Sequence, residues 1–74
     1  MTLDQLPQNT PAQITGFTGD QQSFYPLLVM GVSPGATVTH LNTAPLGDPI
    51  QVRVINTYLS IRKQDACQIQ VDLL

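Results

Sequence analysis

The stretch Ile50-Gln51-Val52-Arg53-Val54-Ile55-Asn56-Thr57-Tyr58-Leu59-Ser60-Ile61 decides how this chain folds. Ile50, Val52 and Val54 alternate with Gln51 and Arg53, and Leu59 and Ile61 then alternate with Tyr58, Ser60 and Arg62. Neighbouring side chains of an extended strand point to opposite faces, so a period of two predicts two half-buried strands with their β-branched residues inward. Asn56-Thr57 is the expected hairpin turn between them, although the stronger Asn-Gly signal is absent. Downstream, Lys63–Cys67 interrupts the alternation and predicts a single 3₁₀ turn. Ile69, Val71 and, at the end, Leu73 then alternate with Gln68, Gln70 and Asp72 in a final strand.

The same reading extends upstream. Ala36–Thr43, rich in Thr and Val, predicts a strand, and Ala12–Thr18, with Ile14, Thr15 and Phe17, predicts the first one. Leu3 and Leu6 stand at helical spacing before Pro7, which predicts an N-terminal turn pinned to the core. Between the first two strands Ser23 is the expected cap of a short helix, with Pro26 in its first turn, where a missing N–H costs nothing. Leu27, Leu28 and Met30 follow, Gly31 suits the C′ position, and Val32 at C″ would pack back on Leu27. A strand over so short an apolar run is the alternative. Ser33-Pro34-Gly35 predicts a type II turn, with Pro fixing φ and Gly supplying its positive value. Gly31, Pro34, Gly35, Gly47 and Pro49 are expected to shape the backbone rather than to touch a partner. Five short strands at this spacing predict a mainly β fold, a small antiparallel barrel with a short helical insertion after the first strand.

The chain has 74 residues, which predicts one domain over 1–74 with a thin core, burying roughly 60–65% of its unfolded surface. Arg53, Arg62 and Lys63 are its only basic side chains, against five Asp and no Glu, for a net charge of −2. Three cations cannot form the basic patch that nucleic acid or an anionic membrane surface requires. Sparse charge gives weak colloidal repulsion, so self-association is a further expectation. The longest apolar stretch, Pro26–Val32, falls far short of the roughly 20 residues of a membrane span. One cysteine, Cys67, rules out an internal disulfide, and no leader-like segment opens the sequence; both favour the cytoplasm.

Chemistry is hard to place on these residues. The five glycines are scattered and form neither a Walker A nor a dinucleotide-binding fingerprint. Cys67, His40 and Asp48 make an imaginable triad, but no motif surrounds them, and a lone cysteine is usually a small core residue. His40 alternates with Val38 and is expected to be a hydrogen-bonded structural histidine. No pair of His, Cys or Asp stands at i,i+3 or i,i+4 as a metal site would want, so no metal or cofactor is expected. Arg53 and Arg62 are candidates for an arginine finger, but their alternating positions read as solvated strand-face charges. Exposed apolar residues are the better lead. Pro45 and Leu46 lie in a loop, Phe24, Tyr25 and Leu28 form a patch beside them, and Tyr58 faces outward. These predict either a docking surface for a protein partner or covers for the ends of the barrel.

Three segments in register resemble a known pattern. Met30-Gly31-Val32-Ser33-Pro34-Gly35-Ala36-Thr37-Val38 is similar to the apolar–Gly–apolar–x–Pro–Gly turn and strand of the FeoA family. Ala44-Pro45-Leu46-Gly47-Asp48-Pro49-Ile50 resembles that family's second signature, and Leu59-Ser60-Ile61-Arg62-Lys63-Gln64-Asp65-Ala66 its third. Thr2-Leu3-Asp4-Gln5-Leu6 and Ile14-Thr15-Gly16-Phe17 also fit. The resemblance implies an SH3-like barrel, not an enzyme, serving bacterial ferrous-iron transport. The implied partner is FeoB, a polytopic membrane protein with a cytoplasmic G-protein domain. Alternatives are an interaction module related to the C-terminal domain of iron-dependent repressors, or a GTPase activator of FeoB. Relatives commonly carry a basic residue ahead of the Leu-x-x-Leu-Gly stretch, whereas here Ser23-Phe24-Tyr25-Pro26-Leu27-Leu28-Val29 stands. The contact surface of that insertion is therefore expected to differ.

Overall fold

Five antiparallel strands form one sheet in the computed structural model, which describes residues 1–74 except for the side chain of Gln21. They are β1 (Pro11–Phe17), β2 (Thr37–Thr43), β3 (Ile50–Val54), β4 (Thr57–Ile61) and β5 (Ile69–Leu73), in the order β4-β3-β2-β1-β5. 3₁₀ turns occupy Leu3–Gln5 and Gln21–Phe24, the latter running into helix α1 (Tyr25–Val29), and a second short helix, α2, spans Lys63–Ala66. This is the expected mainly β architecture, with the helical insertion after β1.

The alternation works as read. Ile50, Val52, Val54 and Ile61 are buried and Leu59 packs against them, while Gln51, Arg53, Tyr58 and Ser60 are exposed. Ile14 and Val71 join the same core from β1 and β5. Because both outermost strands feed one core, the sheet curls into a barrel whose backbone ladder stays open between β4 and β5 among the described residues. Register shifts between Ile14 and Gly16 and between His40 and Asn42 each add a residue to one strand. Such bulges bend a strand and increase its twist, as curling requires. Leu73 lies beyond the core at the end of β5 and is exposed, contrary to the alternation.

The hairpin turn sits one residue earlier than expected. Val54 pairs with Thr57, so Ile55 and Asn56 make the turn. Either register keeps apolar residues on one face, and this one sets Ile50 against Ile61 and Val52 against Leu59. Its cost is Ile55 at φ 58°, a left-handed conformation that a β-branched residue rarely adopts. That strain is about 1–2 kcal/mol per residue, and Asn tolerates the region better. Ile55→Asn is therefore expected to stabilise the fold by about 1 kcal/mol, raising the thermal midpoint by roughly 4–8 °C. Calorimetry reads it; an unchanged or lower midpoint would show that the turn is relaxed with Ile55 in place.

The insertion begins differently and ends as read. Asp20, not Ser23, is the cap: its carboxylate accepts from the Gln22 N–H at 3.0 Å, starting a 3₁₀ turn before α1 takes over at Tyr25. At the far end Gly31 N–H donates to Leu28 O at 3.0 Å and Val32 N–H to Leu27 O at 2.9 Å, a Schellman ending with Gly31 at φ 101°. Ala36 N–H donates to Ser33 O at 3.0 Å across Pro34-Gly35, the type II turn, with Gly35 at φ 95°.

Lys63–Ala66 is an α-helical turn rather than a 3₁₀ one, since Ala66 N–H bonds Arg62 O at 2.9 Å and Cys67 N–H bonds Lys63 O at 3.0 Å. Asp48 accepts from the Lys63 N–H at 2.9 Å and so satisfies one of the donors a helix start leaves free. Ala66 takes the buried position, which leaves Cys67 exposed instead of in the core, its thiol donating to Gln64 O at 3.1 Å. His40 is the buried, hydrogen-bonded strut expected of it. Its Nδ1 lies 2.8 Å from Leu6 O, which can only accept, and its Nε2 lies 3.0 Å from Thr43 Oγ1.

Candidate protein-docking surface

Leu46 is 97% exposed, the most displayed large apolar side chain described. It is held there by a braced loop, not by chance. Gly47 N–H donates to Ala44 O at 2.7 Å, closing a turn with Pro45 and Leu46 at its tip. Ala44 N–H donates to Pro49 O at 3.0 Å, and Asp48 ties the loop to α2. Preorganisation of this kind lowers the ordering cost of an association.

The aromatic patch needs correction. Phe24 is 1% exposed and stacks on Phe17, with ring centroids 4.8 Å apart, so it belongs to the core. The reason is helical phase. Phe24 ends its 3₁₀ turn facing inward with Leu27, and Leu28 is half-buried, while Tyr25 and Val29, four apart, share the outer face and Met30 follows them into solvent. Val29 and Met30 were not singled out from sequence, although the spacing from Tyr25 carried the signal for Val29. Tyr58 is 70% exposed, as its outward position requires, but sits at the turn end of β4 beside Ile55, which is itself exposed. Ile61 lies three positions along β4, about 10 Å away. Leu46 and Tyr58 therefore mark opposite ends of the β3–β4 hairpin and do not form one cluster.

Two clefts lie along that hairpin. One, of about 190 Å³, is lined by Leu41, Gln51, Val52, Tyr58, Leu59 and Ser60. The other, of about 230 Å³, separates Ser23, Pro26 and Leu27 from Ser60, Ile61, Arg62 and Asp65. Both are smaller than the roughly 300–1,000 Å³ of small-molecule pockets and suit side chains of a macromolecule better. Of the three basic side chains only Arg62 lines a cleft; Arg53 stands opposite Tyr58 near the turn end of the hairpin, and Lys63 follows Arg62 past β4. Arg62 Nε is 3.6 Å from Asp65 Oδ2, an exposed pair worth little to stability.

The imagined triad is not assembled. His40 spends both ring nitrogens on Leu6 and Thr43, Asp48 holds the Lys63 N–H and Cys67 bonds Gln64. Among the described residues no three His, Cys or Asp side chains come together as metal ligands would, and no helix is long and apolar enough to cross a membrane.

The FeoA domain family model matches residues 1–73. A Fe(2+) transport protein A/Fe(2+) transporter FeoB fusion protein of Porphyromonas gingivalis is 34% identical over 74 residues; the match takes in 100% of this chain and spans 9% of the fusion protein. Among solved structures, a FeoA protein from Chlorobium tepidum superposes with a TM-score of 0.93 at 32% identity, covering 100% of this chain and 70% of that one. Stenotrophomonas maltophilia FeoA complexed with zinc, described as a procaryotic SH3 domain protein, gives a TM-score of 0.82 at 28% identity, covering 97% of this chain and 89% of that one. Motifs, strand order and match all run the length of the molecule, and the chain belongs to the FeoA domain family.

Proposed function

We propose that this chain is a non-catalytic, cytoplasmic accessory protein of bacterial ferrous-iron uptake that docks on a FeoB-like membrane GTPase transporter through protein–protein contacts. The observation that carries the reading is the Porphyromonas gingivalis fusion, in which a FeoA-like segment and a FeoB transporter share one polypeptide. Covalent linkage holds two modules at an effective concentration in the millimolar range, which serves a contact of modest intrinsic affinity. The chain supplies what such a contact needs, an apolar residue presented on a braced loop and shallow clefts along the β3–β4 hairpin. It requires no cofactor for that role.

The test is titration of the chain into a FeoB-like transporter in nanodiscs, with GTP hydrolysis followed in parallel. Saturable binding at micromolar concentrations, with hydrolysis changed only severalfold, is the expected result. Absence of binding would overturn the reading. An arginine finger supplies about 10³-fold or more, so a rise of that size abolished by Arg53→Ala or Arg62→Ala would make the chain an activator instead.

A further inference from the structure

The two outer strands of the sheet are treated differently. β5 is covered by the chain's own start: Val71 N–H donates to Met1 O at 2.8 Å, the N-terminal amine reaches Val71 O at 3.3 Å, and Thr2 bridges Gln70. β4 has no such cover among the described residues. Val54 and Thr57 close a two-residue turn and form a hydrogen-bonded pair, so Thr57, Leu59 and Ile61 commit their main-chain groups to β3. The N–H and C=O groups of Tyr58 and Ser60 consequently point away from the sheet.

Proteins usually blunt such an edge with charge, proline or a bulge. Thr57-Tyr58-Leu59-Ser60-Ile61 contains neither proline nor charge, and its pairing with β3 runs without a register shift. Of the two clefts, one lies over β3 on the paired side of this strand, and the other lies outside it, between Ser60 and Ile61 and the insertion at Ser23, Pro26 and Leu27. A strand laid on the edge would bond the free main-chain groups and present a side chain to the outer cleft.

Charge selects the occupant. Arg53, the cross-strand neighbour of Tyr58, and Lys63, two residues past the end of β4, stand near the two ends of this edge, and among the described residues neither has an ion-pair partner. The neighbouring carboxylates, Asp48 and Asp65, are engaged by the Lys63 N–H and by Arg62. A second copy of the chain fits poorly, because β4 against β4 would bring a second unpaired Arg53 and Lys63 to the same edge. We propose that the outer edge of β4 accepts an extended, acidic peptide segment of a partner protein as a sixth strand. The inference rests on the docking reading for the existence of a protein partner, and adds where and in what conformation part of that partner binds.

A synthetic probe tests it without the transporter: a short capped peptide in which valine and threonine alternate between flanking aspartates. Amide exchange of the full chain is followed by NMR. Tyr58 and Ser60 should exchange freely alone and gain about tenfold or more protection with saturating peptide. The same peptide N-methylated at alternate residues should give none, and lysines in place of the aspartates should weaken binding. Ser60→Pro removes an outward N–H without touching a ladder bond and should abolish the protection; the N-methylated peptide keeps the test valid if that variant fails to fold. Equal protection by the N-methylated peptide, binding that leaves Tyr58 and Ser60 unprotected, or concentration-dependent protection without peptide would each overturn the proposal. A failed peptide titration beside intact transporter binding removes this inference alone; loss of transporter binding by the parent chain removes the docking reading.

Discussion

Replacing Phe24 by alanine is expected to cost about 3–5 kcal/mol, the usual range for a buried phenylalanine. Its ring is 1% exposed and lies on Phe17 at 4.8 Å, so truncation deletes both packing and a stacked aromatic pair. At about 0.05–0.15 kcal/mol per residue, a chain of 74 residues has roughly 4–11 kcal/mol to lose. The variant should therefore melt at much lower urea concentration, or be unfolded without denaturant. The contrast is the neighbouring residue: Tyr25, 66% exposed, should tolerate alanine within about 0.5 kcal/mol. Urea titration followed by circular dichroism measures both. Equal midpoints for Phe24→Ala and the parent would put the ring on the surface and restore the aromatic patch read from sequence.

Leu46→Asp should do the reverse, leaving stability alone and breaking association. The side chain meets almost only water, and the turn that holds it is closed by backbone bonds that the substitution does not touch. Stability should stay within about 0.5 kcal/mol. In a complex, the same position would carry an anion into an apolar contact. Loss of an anchor residue costs about 2 kcal/mol or more, so the dissociation constant for the transporter should rise about thirtyfold at least. Leu46→Ala should show a smaller rise in the same direction. Wild-type affinity in both variants, with intact circular dichroism, would reduce the loop to a cover for the barrel end.

These two residues also show how far a one-dimensional reading reaches. Leu46 was legible because a Pro-Leu-Gly loop offers an apolar side chain no strand or helix face on which to hide. Phe24 was not, because its fate depends on where a 3₁₀ turn hands over to a helix, and a shift of one residue turns a side chain by about 100°. The same sensitivity explains the cap at Asp20 instead of Ser23 and the helical turn that buries Ala66 in place of Cys67. The Schellman ending at Gly31 and the type II turn at Gly35 were readable because each depends on residues within a span of six. His40 fell between: alternation placed it inward, but its partner Leu6 O lies 34 positions away.

Local chemistry by itself therefore determined the strands, the glycine turns at Gly31 and Gly35, the main inward faces and the net charge, since each follows from a period or from one residue's backbone preference. Tertiary structure alone decided the hairpin register, the burial of Phe24 and the fate of the sheet's edges. An edge is defined by strand order and by what covers it, and the cover of β5 is the N-terminus, 70 positions from Val71. No period in the sequence spans that distance, so the openness of β4 becomes visible only once the sheet is assembled.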